Sequence, residues 1–198
     1  MINKDKFFQD ADDALRNRVA NIVSFSKELP EQVFKETMQY NFYFYDFYYV
    51  IDKGFISILC ELGKLLDQQT VKIFTPEYYY KKNQFKINRK RKMPYAKMDI
   101  NCSKTEYNQI LETFVDGENI NFLMFDDLYW YFNSECIIYG DKVSEVSVLA
   151  LDKSLELSTS LQDKLMPVRT FIERQTKMNL GPGIDVDEFK KKLVKNYS

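Results

Sequence analysis

Apolar positions recur along this chain with two different periods, and the switches between them lay out its elements. Over residues 5–26, Phe8, Leu15, Val19, Ile22 and Val23 share one helical face while Asp12, Asp13, Arg16 and Arg18 share the other, which predicts an amphipathic helix. After a break at residues 28–32, ELPEQ, Pro30 suits the first position of a short second helix running to about Met38. Residues 40–51, YNFYFYDFYYVI, are aromatic or β-branched around a lone Asp46 and predict a strand. Asp52 can cap the next helix, whose stripe is Phe55, Ile56, Leu59, Leu62 and Leu66. The run VKIF, residues 71–74, predicts a short strand ending before Pro76.

In the second half, Ser103 and Glu106 have the spacing of a capping box and open a helix with Tyr107, Ile110, Leu111 and Phe114 on one face. NFLMF at 121–125 reads as a strand. LYWYF, ECIIY and SEVSVLAL then form a meander, with turns expected at Asn133-Ser134 and at Gly140-Asp141, because glycine reaches positive φ at no steric cost. Beyond Asp152 the helical period returns through Leu161, Leu165, Val168 and Ile172, and Pro167 implies a kink or two abutting helices. Asp185 and Glu188 open a last helix with Val186, Phe189 and Leu193 inward. The expected fold class is α+β, with an antiparallel sheet centred on residues 121–151 and joined by strands near 41–50 and 71–74. Helices are expected on one side, in a single domain made of an N-terminal helix (1–28), a core (29–152) and a helical C-terminal extension (153–198).

Composition changes this picture in three ways. At 198 residues and 45% hydrophobic, the chain can bury one substantial core. It has no histidine, which removes His-assisted nucleophilic catalysis and the common zinc sites, so no metal or cofactor is expected. Three widely spaced cysteines without a CxxC pair fit reduced thiols, and Cys136, among isoleucines, reads as core. With no cationic leader and no run near the ~20 apolar residues of a membrane span, a cytoplasmic protein without membrane attachment is expected.

Net charge is −1, yet the charge is segregated. Residues 81–98 hold eight lysines and arginines and no acid, whereas residues 105–141 hold eight acids and no cation. Arg89, Lys90, Arg91 and Lys92 lie beside Tyr78, Tyr79, Tyr80 and Tyr95, a mixture of cations and rings suited to nucleic acid; a solvated edge that discourages pairing explains it as well. On the acidic side, Asp126, Asp127, Glu135 and Asp141 with Trp130 form a candidate face for a basic protein partner. Asp126, Asp127 and Glu135 could supply paired carboxylates for hydrolysis, but neighbours on a strand point to opposite faces.

The order LPEQVF at 29–34, an aromatic segment, a helix, Trp130, IIYGDK at 137–142 and EVSVLAL at 145–151 resembles small bacterial α+β immunity proteins of polymorphic or contact-dependent toxin systems. The resemblance covers about residues 29–152 and implies neutralisation of a toxin domain by occlusion, without chemistry. It implies an acidic binding face where the toxin is a nuclease, and the basic run departs from that pattern. The leading expectation is therefore a non-catalytic, toxin-neutralising binding protein; the alternative is a nucleic-acid binder using the basic segment.

Overall fold

The computed structural model describes residues 8–76, 93–112, 121–175, 180 and 184–198. Seven strands, β1 (Phe8–Ala11), β2 (Tyr40–Asp46), β3 (Thr70–Phe74), β4 (Met93–Asp99), β5 (Asp127–Asn133), β6 (Cys136–Asp141) and β7 (Val146–Asp152), form one sheet in the order β1-β4-β3-β5-β6-β7-β2. Every pairing is antiparallel, so the fold is α+β as the sequence predicts.

The helices, however, cover both faces of the sheet. On one face α2 (Lys53–Leu65), α3 (Lys104–Glu112) and the segment around α4 (Thr159–Gln162) bury Phe55, Leu59, Leu62, Tyr107, Ile110 and Leu161 against Trp130, Ile138 and Leu149. On the other, α1 (Asp13–Ile22), α5 (Val168–Arg174) and α6 (Val186–Tyr197) bury Leu15, Val19, Phe171, Phe189 and Leu193 against Tyr129, Ile137, Tyr139 and Val148. The expectation of helices on one side fails because the central strands are apolar at consecutive positions. β6 and the first six residues of β7 are buried throughout, so each presents a core face in both directions. The helices of the two terminal segments cover the second face.

Caps fix where the helices begin. Asp12 accepts from Leu15 N (2.7 Å), Asp52 from Gly54 N (2.7 Å) and Asp185 from Glu188 N (3.0 Å). Ser103 and Glu106 bond reciprocally as a capping box, Ser103 N to Glu106 Oε2 at 2.9 Å and Glu106 N to Ser103 Oγ at 3.2 Å. α2 ends in a Schellman motif, with Gln68 N on Gly63 O (2.8 Å), Asp67 N on Lys64 O (3.3 Å) and Asp67 at φ 52°.

Four sequence expectations are corrected by tertiary contacts. The first helix covers only Asp13–Ile22, since residues 8–11 add an edge strand to β4. No α-helix runs from Pro30 to Met38, and only a 3-10 turn, Thr37–Gln39, forms near its end: Val33 O accepts from Ser24 N and Ile22 O from Lys35 N (both 2.8 Å), and Val33 and Phe34 are both buried. The strand expected over 40–51 stops at Asp46, whose carboxylate caps a 3-10 turn, Phe47–Ile51, through Tyr48 N (2.8 Å). At 121–125 a 3-10 turn, Phe122–Met124, replaces the strand, with Asn121 accepting from Leu123 N (2.9 Å). Farther on, Pro167 separates two short helices, α4 and α5.

The meander is present with its second turn moved. β6 runs through Gly140 and Asp141, and the chain reverses over residues 142–145, with Glu145 at φ 57°. Gly140 is needed for space: a Cβ there would lie 2.9 Å from Phe47 Cε2 and 3.2 Å from Trp130 Cζ3. Gly140→Ala should therefore force the Phe47 ring off the sheet and destabilise the protein by about 1–3 kcal/mol, measured as a lower urea midpoint with unchanged slope. An unchanged midpoint contradicts the close approach.

Candidate functional site

With both sheet faces covered, polar chemistry concentrates at the ends of the strands, and one end is acidic. The β5–β6 register sets Asp127 directly opposite Asp141, and two residues farther on Tyr129 opposite Tyr139 on the same face. Asp127 Oδ1 accepts from Thr75 Oγ1 at 3.0 Å. Asp141 is 4% exposed, and its Oδ1 accepts from Val143 N (2.9 Å) and Ser144 N (3.1 Å), which shapes the turn into β7. The loop after α1 closes over this end, where Phe25 meets the Tyr129 ring edge-on at 5.9 Å.

Like charges opposed across a ladder repel, and partial burial sharpens the repulsion. Burial pushes the Asp127 carboxyl up to about 6, with the charges of Asp141, Glu28 and Asp126 adding and the Thr75 hydrogen bond opposing. Burial likewise pushes Asp141 up to about 6, opposed by the Ser144 and Val143 amides and helped by Glu28. Tyr129 is wholly buried, its phenol is raised by burial and then by the charge of Asp127, and its Oη has no hydrogen-bond partner among the described residues. Among the described residues, neither carboxylate of the Asp127–Asp141 pair is in an ion pair, and the phenol oxygen beside them is unpartnered.

Its rim adds exposed apolar groups and further acids. Val143 at the hairpin tip is 44% exposed and Tyr48 48% exposed, and Phe47 N ties the two segments together by donating to Glu145 O (2.9 Å). Asp126 is exposed, its carbonyl accepting from Lys142 N (2.7 Å). The Lys142 ammonium is held by Leu123 O at 2.9 Å. Asp46 and Glu145 complete the rim, each near enough that the charge of Asp46, after burial, raises the Glu145 carboxyl.

The five residues expected to form one face do not all converge. Asp126, Asp127 and Asp141 come together; Glu135 and Trp130 do not join them. Glu135 sits in the β5–β6 turn, bonded to Asn133 Nδ2 (2.9 Å), at the far end of a strand spanning about 20 Å. Trp130 is 0% exposed on the opposite face, edge-on to Phe55 at 5.2 Å, so it is a core residue and no contact for a partner. Arg89, Lys90, Arg91 and Lys92 lie outside the described residues. The sequence places Tyr129 just after Asp126 and Asp127, and the register that pairs Asp127 with Asp141 puts it on their face; Glu28 and Thr75 escaped the sequence reading, and no sequence pattern marks them.

No family model, curated protein or solved structure matches the chain. The site is therefore characterised by its geometry alone. Among the described residues no group of three or more Asp, Glu or Cys is arranged to hold a metal, and no helix is long and apolar enough to cross a membrane. Cys136 is fully buried and its thiol is raised by burial, which suits packing and not attack.

A carboxyl whose folded pKa lies above its unfolded value holds its proton longer in the folded state, so stability falls as pH rises from about 4 to about 6 and stays reduced above that window. The double change Asp127→Asn with Asp141→Asn keeps both acceptor oxygens and removes the repulsion. At pH 7 this variant should exceed wild type by about 1–3 kcal/mol in chemical unfolding, and at pH 4 the two should converge. Lower stability of the variant at pH 7 contradicts the account.

Proposed function

We propose that the chain is a non-catalytic binding protein that docks a basic protein domain on the acidic end of its sheet, and that it serves as an immunity protein occluding a toxin. The observation that carries this reading is the opposed pair Asp127–Asp141, held near pKa 6 beside a Tyr129 Oη that has no partner among the described residues, and rimmed by exposed Tyr48 and Val143. A lysine or arginine from a partner would face the rim acids Asp126 and Glu145, and the exposed ring and aliphatic would supply apolar contact. The resemblance to immunity proteins over residues 29–152 supports a toxin domain as that partner. Occlusion requires no chemistry of the chain itself.

The test is whether the gene immediately upstream encodes a large secreted protein ending in a small, variable module, and then co-expression of that module with and without this chain, followed by titration of the purified pair. Protection and binding are expected, with affinity weaker at pH 5 than at pH 7, because protonated carboxyls lose the cation. Asp126→Lys with Glu145→Lys should weaken binding by about tenfold or more, chiefly by slowing association. Binding indifferent to both pH and these charges removes the acidic end from the interface.

One observation favours the nucleic-acid reading as second. Lys97 on β4 stands opposite Lys72 on β3, and the Lys72 ammonium lies 5.7 Å from the Tyr131 ring centre. Burial lowers the Lys72 pKa, and the charges of Lys97 and Arg18 lower it further. Cations crowded round a ring suit a phosphate-bearing strand. This reading predicts oligonucleotide affinity that falls steeply with salt and weakens on Lys97→Glu; no fluorescence anisotropy change at low salt ends it.

A further inference from the structure

The sheet has a second unfinished boundary, at its β2 edge and at the opposite end of that strand from the acidic site. Phe44 N donates to Met166 O (2.6 Å) and Met166 N to Phe44 O (3.1 Å), so Met166 forms a single bridge of an eighth strand. That strand cannot continue: Pro167 lacks an N–H and leads directly into α5. Because antiparallel residues alternate in the direction of their backbone groups, the outward bonds of Phe44 mean that Phe42 also turns its N–H and C=O outward. No backbone group among the described residues takes them up.

Beside this vacancy runs a groove of about 700 Å³. Met38, 84% exposed, and half-buried Phe42 give it an apolar lining, and Lys153, Arg169 and Lys195 give it three cations, with no carboxylate side chain lining it. All three cations are exposed and, among the described residues, none is in an ion pair. An occupant must therefore offer a backbone donor and acceptor to Phe42, apolar side chains to Met38 and Phe42, and negative charge to the rim.

We propose that the β2 edge is a strand-addition site for an extended, acidic peptide segment of a partner protein, which pairs with Phe42 where Pro167 ends the chain's own bridge. The backbone contacts provide pairing and the three cations select acidic side chains. A phosphate backbone matches the charge but lacks a donor for the Phe42 carbonyl. The site shares no residue with the acidic end, so either can fail without the other.

The probe is a fluorescein-labelled peptide alternating Glu and Val, read by fluorescence anisotropy. It should bind; its Lys/Val counterpart and a version N-methylated on one backbone edge should bind more weakly by about tenfold or more. Arg169→Glu and Lys195→Glu, both surface changes, should each weaken the Glu/Val peptide several-fold while leaving the thermal melt unchanged. Hydrogen exchange should show the Phe42 amide slowed in the complex. The proposal is overturned if no peptide binds, as it would be if the cations merely guard the edge, or if the Glu and Lys peptides bind alike. It is equally overturned if N-methylation has no effect, if Phe42 exchange is unchanged, or if sedimentation shows the edge occupied by a second copy of the chain.

Discussion

The constraint on which the rest depends is a sheet buried on both faces. β6 and nearly all of β7 lack a solvent side, so Leu149 and Leu151 face one helical layer while Val148 and Ala150 face the other. Such strands cannot carry a polar site on their faces without orphaning it in the core. Whatever this protein recognises must meet it at the ends of the strands, at an open edge, or on the outer helix surfaces.

Register converts that constraint into chemistry. Moving the β6–β7 turn to 142–145 carries Asp141 into the ladder opposite Asp127, where burial makes both reluctant to ionise and the charge of Asp141 adds to the effect on Asp127. A fold gains nothing in stability from such a pair, and Glu145 at positive φ in the adjoining turn adds local strain that a glycine would relieve.

Much of the architecture was legible in the sequence where the signal is local. The caps at Asp52, Ser103–Glu106 and Asp185, the stripe of α2, and the three strands of the meander all follow from spacing and side-chain chemistry. What misled was context. The aromatic run at 40–51 has uniform propensity, and only the Asp46 cap and the place for Phe47 over Gly140 end the strand. Gly140-Asp141 has turn composition, yet the glycine is there to admit a ring. The acidic site was half legible: Asp126, Asp127 and Asp141 were marked by charge, whereas Trp130 was misplaced because a strand buried on both faces leaves no exposed side for it. Glu28 and Thr75 reach the cluster through tertiary proximity, which no local pattern encodes.

The central claim is that two-sided burial holds an opposed carboxyl pair at the sheet's end. Its most direct measurement is a carbon-detected NMR titration of the Asp127 and Asp141 side-chain carboxyls in the free protein. The account predicts that both titrate near pH 6, far above an ordinary aspartate. Midpoints near the ordinary value of about 4 would show the pair to be solvated or already neutralised, and would contradict it.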